Sequence, residues 1–192
     1  MRRVSCTLGA SLDGYVEGPD GRFDWTAPDE EFFRAATDQV REIGVYVLGR
    51  RLYESMLFWE TVDDPPFGDL GREFAALWRA LPKVVFSTTL TAVQGSARLA
   101  TGGVAAEVER LRAEPAAGEV AVGGATLAAE VAAAGLLDEY QVRVYPVLVG
   151  GGIPLFPRDE RRVDLELVET RIFGSGVVLL RHRVVRRGVS GG

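Results

Sequence analysis

Val122-Gly123-Gly124-Ala125-Thr126 is the stretch of sequence that decides the fold. An apolar run ends there in two glycines, and an alanine-rich run that is typical of a helix follows. A strand that turns through glycine into a helix lets the backbone approach a ligand closely. It also directs unpaired amides and the positive end of the helix dipole at that ligand. This arrangement suits a phosphate or pyrophosphate, so the stretch predicts a nucleotide cofactor.

The hydrophobic periodicity around this stretch predicts an α/β protein. Strands are predicted over 2–10, 45–48, 83–86, 97–100, 119–122, 138–147, 163–172 and 176–185. Helices are predicted from 28 through an apolar stripe that includes Ile43, and over 50–56, 73–81, 104–112 and 125–134. Loops are predicted over 11–25, 57–71 and 150–154. This order predicts a single domain over 1–187, with a central mixed, mostly parallel sheet, helices on both faces and a C-terminal antiparallel hairpin. A disordered tail is predicted over 188–192.

Composition excludes several classes of protein. The 192 residues carry a net charge of -5, which argues against a nucleic-acid partner. The single Cys6 cannot form an internal disulfide or a cysteine-cluster metal site, and His182 is the only histidine, so we expect no bound metal. The N-terminal residues lead straight into a strand pattern, with no long apolar stretch or cleavage-site pattern. We therefore expect a cytoplasmic location and no membrane partner.

Polar and glycine-containing segments follow four of the predicted strands. They are Ser11-Leu12-Asp13-Gly14, Gly49-Arg50-Arg51, Ser87-Thr88-Thr89 and Gly123-Gly124-Ala125-Thr126. Open α/β sheets bind ligands at such strand ends. Each segment also has a purely structural interpretation, because Gly49 could only end a strand and the Ser-Thr-Thr run could only cap a turn. Together they offer the amides, hydroxyls and guanidinium groups that hold phosphates.

Four longer motifs carry a resemblance to a known family. In chain order they are Ser11-Leu12-Asp13-Gly14-Tyr15, Leu48-Gly49-Arg50-Arg51-Leu52-Tyr53-Glu54, Val122-Gly123-Gly124-Ala125-Thr126-Leu127 and Pro146-Val147-Leu148-Val149-Gly150-Gly151-Gly152-Ile153-Pro154-Leu155-Phe156. The chain thereby resembles the dihydrofolate-reductase-like superfamily, and within it the reductase domain of the bacterial bifunctional riboflavin-biosynthesis deaminase–reductase. The zinc deaminase half needs a His-x-Glu and a Pro-Cys-x-x-Cys signature, which one cysteine and one histidine cannot form. The resemblance therefore implies a reductase unit alone, with a dihydrofolate-reductase-like three-layer fold.

The same resemblance implies NADPH as the cofactor. The residues implied to contact it are Ala10, Gly49, Arg50, Arg51, Leu52, Ser87, Thr88, Thr89, Gly123, Gly124, Ala125, Thr126 and Leu127. A preference for NADPH over NADH would depend on a cation beside the 2′-phosphate, which Arg50 or Arg51 could supply. Two arginines could equally form a solvated helix surface, but their position directly after a strand-ending glycine favours phosphate binding.

The substrate side is implied to include Ser11, Asp13, Trp25, Glu30, Phe33, Gly151, Gly152 and Phe156. The stretch Trp25-Thr26-Ala27-Pro28-Asp29-Glu30 is similar to the dihydrofolate reductase pattern of Trp, two residues, Pro, one residue and an acid, which makes Glu30 or its neighbour Asp29 a candidate catalytic carboxylate. Glu30 and Asp13 are the predicted catalytic residues. Acids in a first helical turn are also favoured by the helix dipole alone, an Asp-Gly pair can be a simple turn, and the triple glycine could form an anion-binding nest or a flexible lid.

The resemblance therefore predicts an NADPH-dependent reductase of the riboflavin-biosynthesis type, similar to the 5-amino-6-(5-phosphoribosylamino)uracil reductases. It would transfer hydride to a small heterocyclic or sugar-linked substrate. A true dihydrofolate reductase and a non-catalytic NADP(H)-binding sensor are the alternatives. The family resemblance and the strand-rich C-terminus together predict a homodimer.

Overall fold

The computed structural model of the protein describes residues 1–26, 28–159 and 161–186, and the tail predicted over 188–192 lies outside these ranges. The described residues form ten strands: β1 Val4–Ser11, β2 Tyr15–Glu17, β3 Ile43–Gly49, β4 Lys83–Phe86, β5 Ala97–Leu99, β6 Glu119–Gly123, β7 Glu139–Tyr145, β8 Ile153–Pro154, β9 Leu165–Ile172 and β10 Val178–Val184. They also form six α-helices: α1 Glu30–Glu42, α2 Arg50–Met56, α3 Phe58–Thr61, α4 Gly68–Ala80, α5 Val104–Ala113 and α6 Ala125–Ala133.

Eight of the strands form one central sheet in the order β5-β4-β3-β6-β1-β7-β10-β9. The six strands from β5 to β7 are parallel, whereas β10 is antiparallel to both β7 and β9. The predicted mixed, mostly parallel sheet with a C-terminal antiparallel hairpin is confirmed. Because the six parallel strands point the same way, the loops that follow them share one edge of the sheet, called here the carboxyl edge.

Helices cover the two faces of the sheet with different cores. Alternate strand residues such as Val45 and Val47 pack with Val131 of α6 and Leu111 of α5 on one face, called the α6 face. On the other, the α1 face, Leu48 packs with residues of α1 and α4. The parallel strands are therefore buried on both sides, which explains their valine-rich runs. No helix in the described ranges is long and apolar enough to cross a membrane.

Three local predictions were wrong. Residues 57–71 were predicted as a loop, but α3 lies within them and α4 begins at Gly68, because Leu70 and Gly71 pack into the core beyond the Pro65-Pro66 pair. Ile43, predicted on the helix, is the first residue of β3. Residues 15–17 and 153–154, predicted as loops, pair as the antiparallel strands β2 and β8.

Candidate active site

Five polar or glycine-containing loops meet along the carboxyl edge. They follow β1, β3, β4, β6 and β7, and comprise residues 11–14, 49–52, 87–89, 123–127 and 146–152. β6 lies between β3 and β1, so the loops after these three strands are direct neighbours. The chain runs from β1 to β3 through α1 on one face and from β6 to β7 through α6 on the other. The connections that leave the neighbouring strands β1 and β6 therefore lie on opposite faces of the sheet. Open α/β sheets bind their ligands at such switch points.

The two glycines after β6 have different roles. A Cβ on Gly123 would lie 2.4 Å from Leu52 Cδ2 and 3.1 Å from Tyr46 Cε2, so this glycine is required by packing within the protein. Gly124 has φ +101, and a Cβ there would meet no atom within 4 Å. Gly124 is also the N-cap residue of α6, and no side chain caps the helix. The open side of the turn therefore presents uncapped backbone amides, as a phosphate site requires.

Two arginines begin α2 across from this turn. Arg50 pairs with Glu54 of the same helix at 3.3 Å, and Arg51 pairs with Glu17 of β2, also at 3.3 Å. The Arg51 side chain is 70% exposed. Exposed ion pairs contribute only about 0–1 kcal/mol, so either guanidinium can exchange its carboxylate for a phosphate at small cost. Gly49, which precedes them, has open space where a Cβ would be.

The Ser-Thr-Thr segment after β4 is partly a turn. Ser87 Oγ accepts hydrogen bonds from the backbone amides of Thr89 at 3.1 Å and Leu90 at 3.0 Å. Its hydroxyl is therefore engaged in holding the chain, whereas the side chains of Thr88 and Thr89 are exposed. A contact between this segment and a ligand would use the two threonines.

Asp13 fastens the loop after β1 to the loop after β7. Its carboxylate accepts from the amide of Gly150 at 2.7 Å and from that of Val149 at 3.2 Å. A hydrogen bond with the Ser11 side chain is the main cause that lowers the pKa of Asp13, and these two amides lower it further. The loop after β7 therefore binds an anion, as the nest interpretation of the triple glycine expects. That anion is the protein's own carboxylate, which occupies the amides of Val149 and Gly150.

The glycine triplet itself is a site of close backbone packing. Gly152 has φ +115, and a Cβ there would lie 1.9 Å from the carbonyl oxygen of Glu17. This contact accompanies the pairing of β2 with β8, in which Glu17 is opposite Ile153. Gly151 has only an ordinary contact with Pro19. The absence of a side chain at Gly152 therefore allows the loop after β7 to pack directly on the backbone of β2.

Trp25 lines a cavity between these loops. The cavity has a volume of about 530 Å³ and is lined by Gly18, Pro19, Asp20, Arg22, Asp24, Trp25 and Val149. The indole packs edge-on against Tyr145 with ring centroids 5.3 Å apart. Its Nε1–H is buried and has no hydrogen-bond partner among the described residues. The aromatic ring and the polar residues of the wall make the cavity a candidate substrate space.

The predicted acids of α1 do not face that cavity. Asp29 is the N-cap of the helix and accepts from the amide of Phe32 at 2.7 Å. Glu30 is 68% exposed and pairs with Arg34 at 3.0 Å along the helix. The helix dipole and the capping bond account for both carboxylates. The motif match from Trp25 to Glu30 therefore did not indicate where these two side chains lie. The structure does not supply the buried carboxylate that the sequence predicted at Glu30.

Two predicted aromatic contacts lie away from the cavity, Phe33 in the core and Phe156 at the surface. Phe33, 5% exposed, packs among the rings of Trp59, Phe67 and Phe74 on the α1 face. Phe156 lies on the α6 face against Tyr140, where it lines a separate cavity of about 260 Å³ together with Ala125. Neither aromatic residue meets Trp25, so the predicted substrate set is divided.

Two of the residues predicted to contact the cofactor are also buried in this way. The side chains of Ala10 and Leu127 point into the core of the α6 face, so only their backbone could contact a ligand.

Sequence reasoning missed Glu17 and Arg143. Glu17 carries no motif, and only the folded chain brings it to Arg51. Arg143 alternates with Gln141 and Glu139 along β7, at positions that face α1 where apolar residues would be expected. This polar alternation in a central strand is a signal that could have identified Arg143.

Residues 2–179 match the RibD C-terminal domain family. YyaP, an uncharacterized protein of Bacillus subtilis (strain 168), is 32% identical over 178 residues, which are 93% of each chain. A structure from Shewanella sp. PV-4, which carries the name of a riboflavin biosynthesis protein, has a TM-score of 0.72 and 23% identity, and the match covers 97% of this chain and 100% of that one.

Two further structures share the fold at lower sequence identity. RibD of Acinetobacter baumannii has a TM-score of 0.69 and 18% identity, over 96% of this chain but only 58% of RibD. Dihydrofolate reductase of Enterococcus faecalis, solved with NADP(H), has a TM-score of 0.61 and 14% identity, over 95% of this chain and 96% of the reductase. At such identities the structures establish the fold, and the predicted dihydrofolate-reductase-like architecture is confirmed.

Proposed function

Because the chain belongs to the RibD C-terminal domain family, we propose that it is an NADPH-dependent reductase of a small heterocyclic or sugar-linked compound. The observation that carries the proposal is the open turn at Gly124, where a positive φ, uncapped helix amides and free space coincide. Arg50 and Arg51 provide the cations that a pyrophosphate and a 2′-phosphate require. The structure of the E. faecalis reductase with NADP(H) has the same fold, which supports a dinucleotide at this edge.

The residues that would hold NADPH come from the loops after β3, β4 and β6. Gly124, Ala125 and Thr126 would offer backbone amides and a hydroxyl, while Arg50 and Arg51 would offer charge. When bound, the cofactor supplies a hydride. The chain's own task is positioning, since Asp13 is engaged with the loop after β7 and Glu30 faces solvent. We therefore propose no carboxylate acid at the reacting atoms.

For the substrate, the named relatives suggest a chemical class. The matching Thermotoga maritima structure is that of a deaminase and 5-amino-6-(5-phosphoribosylamino)uracil reductase. We propose a substrate of that general type, in which a planar heterocycle carries a polar or charged substituent. The cavity beside Trp25 supports this class because it combines an aromatic wall with polar groups.

Titration of the protein with NADPH and with NADH tests the cofactor. Saturable binding of NADPH, at least about tenfold tighter than NADH, is expected if an arginine contacts the 2′-phosphate, since one charge-assisted contact contributes about 1.5–3 kcal/mol. The next measurement is NADPH oxidation at 340 nm with pyrimidines, pterins and simple ketones as acceptors. Absence of NADPH binding would refute the proposal, whereas binding without turnover of any acceptor would favour the sensor alternative.

We further propose a homodimer through β9. This edge strand is exposed along its whole length, and it presents Leu165, Leu167 and Ile172 to solvent. An unprotected apolar edge strand invites pairing with another chain. A second copy of the protein offers an identical, self-complementary strand, so a two-fold symmetric contact is the simplest way to cover it.

A further inference from the structure

A polar network lies between α1 and the sheet. Gln39 of α1 donates from Nε2 to Thr7 Oγ1 at 2.6 Å and to Gln141 Oε1 at 2.5 Å. Its Oε1 accepts from Nη2 of Arg143 at 2.5 Å. Every polar atom of the Gln39 amide is therefore used, and the result is a fixed position for the guanidinium of Arg143.

The positive charge of Arg143 has no counter-ion in the part of the chain that the structure describes. Within the described ranges no carboxylate lies at ion-pair distance, and its one hydrogen bond is to the neutral amide of Gln39. The guanidinium stacks over the Phe32 ring, 4.8 Å from its centroid. The Arg143 side chain is half-buried, and desolvation lowers the pKa of Arg143. A bound anion would supply the charge partner that no described residue provides.

Arg143 lies on the substrate side of the proposed site. In the register of β1 and β7 it is opposite Gly9, two residues before Tyr145 at the end of β7. The proposed cofactor loops follow β3, β4 and β6, which lie on the other side of β1. Aromatic rings connect Arg143 to the cavity: the guanidinium stacks over Phe32, the Phe32 ring lies 6.0 Å from that of Tyr145, and Tyr145 packs against Trp25 of the cavity wall. The Tyr145 ring also covers Gly9, with its Cε2 3.0 Å from the position that a Cβ would take.

We propose that Arg143, held by Gln39, is the residue that recognises an anionic oxygen group, a carboxylate or a phosphate, on the substrate. A guanidinium with free N–H groups binds either anion in a bidentate manner. The ring of Phe32 and the bond to Gln39 keep it oriented before the substrate arrives, so little side-chain entropy is lost on binding. This inference deepens the proposed reductase function and rests on it.

The test compares Arg143→Met with Arg143→Lys and with the control Arg183→Met, which changes an exposed arginine of β10 that pairs with Glu166 at 3.6 Å. Each protein is titrated calorimetrically with orotate, ribose 5-phosphate and neutral uracil, with and without saturating NADPH. We expect orotate or ribose 5-phosphate to bind the wild type at least about tenfold more tightly than Arg143→Met, as loss of a charged hydrogen bond predicts. Arg143→Lys should retain part of that affinity, and Arg183→Met should retain all of it. The anion that responds identifies the carboxylate or the phosphate source.

Two additional readouts separate binding from structure. NADPH affinity should stay within about twofold in all variants, and the melting temperature of Arg143→Met should fall only slightly, because removal of a charge with no counter-ion offsets part of the lost hydrogen bond to Gln39. The proposal is overturned if neither anion binds the wild type in the millimolar range, or if Arg143→Met binds the anions as the wild type does. A lower melting temperature with equal loss of NADPH and anion binding would also overturn it, since that pattern indicates a structural cation. Failure of the reductase proposal is distinguishable, because there the wild type would not bind NADPH at all.

Discussion

Replacing Gly124 by alanine separates ligand binding from chain packing at the turn after β6. The new Cβ would meet no protein atom within 4 Å, so the only structural cost is the backbone strain at φ +101. That strain is about 1–3 kcal/mol for a residue with a side chain. In a chain of this length it corresponds to a fall in melting temperature of about 2–12 °C. The methyl group would extend into the space proposed for the pyrophosphate and displace it from the α6 amides. Loss of one such bond predicts an NADPH dissociation constant about 10–150 times higher.

Gly135→Ala is the matched control, because Gly135 lies just beyond the other end of α6. It has φ +70 and no atom within 4 Å of a Cβ, so the substitution also places a side chain at a positive φ but does not approach the proposed site. Both variants should lose stability in urea denaturation, but only Gly124→Ala should lose NADPH affinity in fluorescence titration. If Gly124→Ala binds NADPH as tightly as the wild type, the glycine serves the turn alone and the reasoning is refuted. Equal weakening in both variants would refute it as well.

Three other perturbations follow from contacts around the site. Glu17→Gln removes the partner of Arg51, so NADPH should bind about two- to fivefold more tightly at low salt, with a gain that shrinks as salt rises; no change by calorimetry would mean that Arg51 does not contact the cofactor. Asp13→Asn should lower the melting temperature at neutral pH. Since the folded-state pKa of Asp13 is depressed below 3.8, its stabilisation is present above that pH and disappears as pH falls through the lower folded-state value. A difference between wild type and variant that does not shrink as the pH is lowered below 3.8 would contradict this role. Ile172→Glu, at a position 72% exposed on β9, should convert a dimer of twice 20.8 kDa into a monomer by light scattering; a monomeric wild type would remove the dimer proposal.

The sequence predicted the glycines of the candidate site better than its charged residues. The sequence identified Gly123 and Gly124 as a strand-to-helix turn, because local periodicity marks both elements. The sequence could not distinguish the two glycines. Leu52 of α2 occupies the space beside Gly123, whereas Gly124 faces open space. The same limit applies to the glycine triplet, where the partner of Gly152 is the backbone of Glu17 far away in the chain.

The carboxylates were the least predictable part. A position in a motif does not specify the direction of a side chain, and Glu30 therefore matched a catalytic pattern while its side chain points to solvent. Asp13 was recognised as a candidate, yet its partners Val149 and Gly150 are more than 130 residues away in sequence. Such long-range pairs leave no local signal.

From the sequence alone follow the α/β class, the order of most strands and helices, the family resemblance and the Gly123-Gly124 turn between a strand and a helix. These properties depend on local periodicity and on backbone preferences of a few residues, which act over one or two turns of chain. Only the tertiary structure decided which glycine has open space beside it, which carboxylate is already used, and that Arg143 is held beneath α1 with no counter-ion among the described residues. Those properties depend on side chains brought together from distant strands, and their energies exist only once the sheet has placed them in contact.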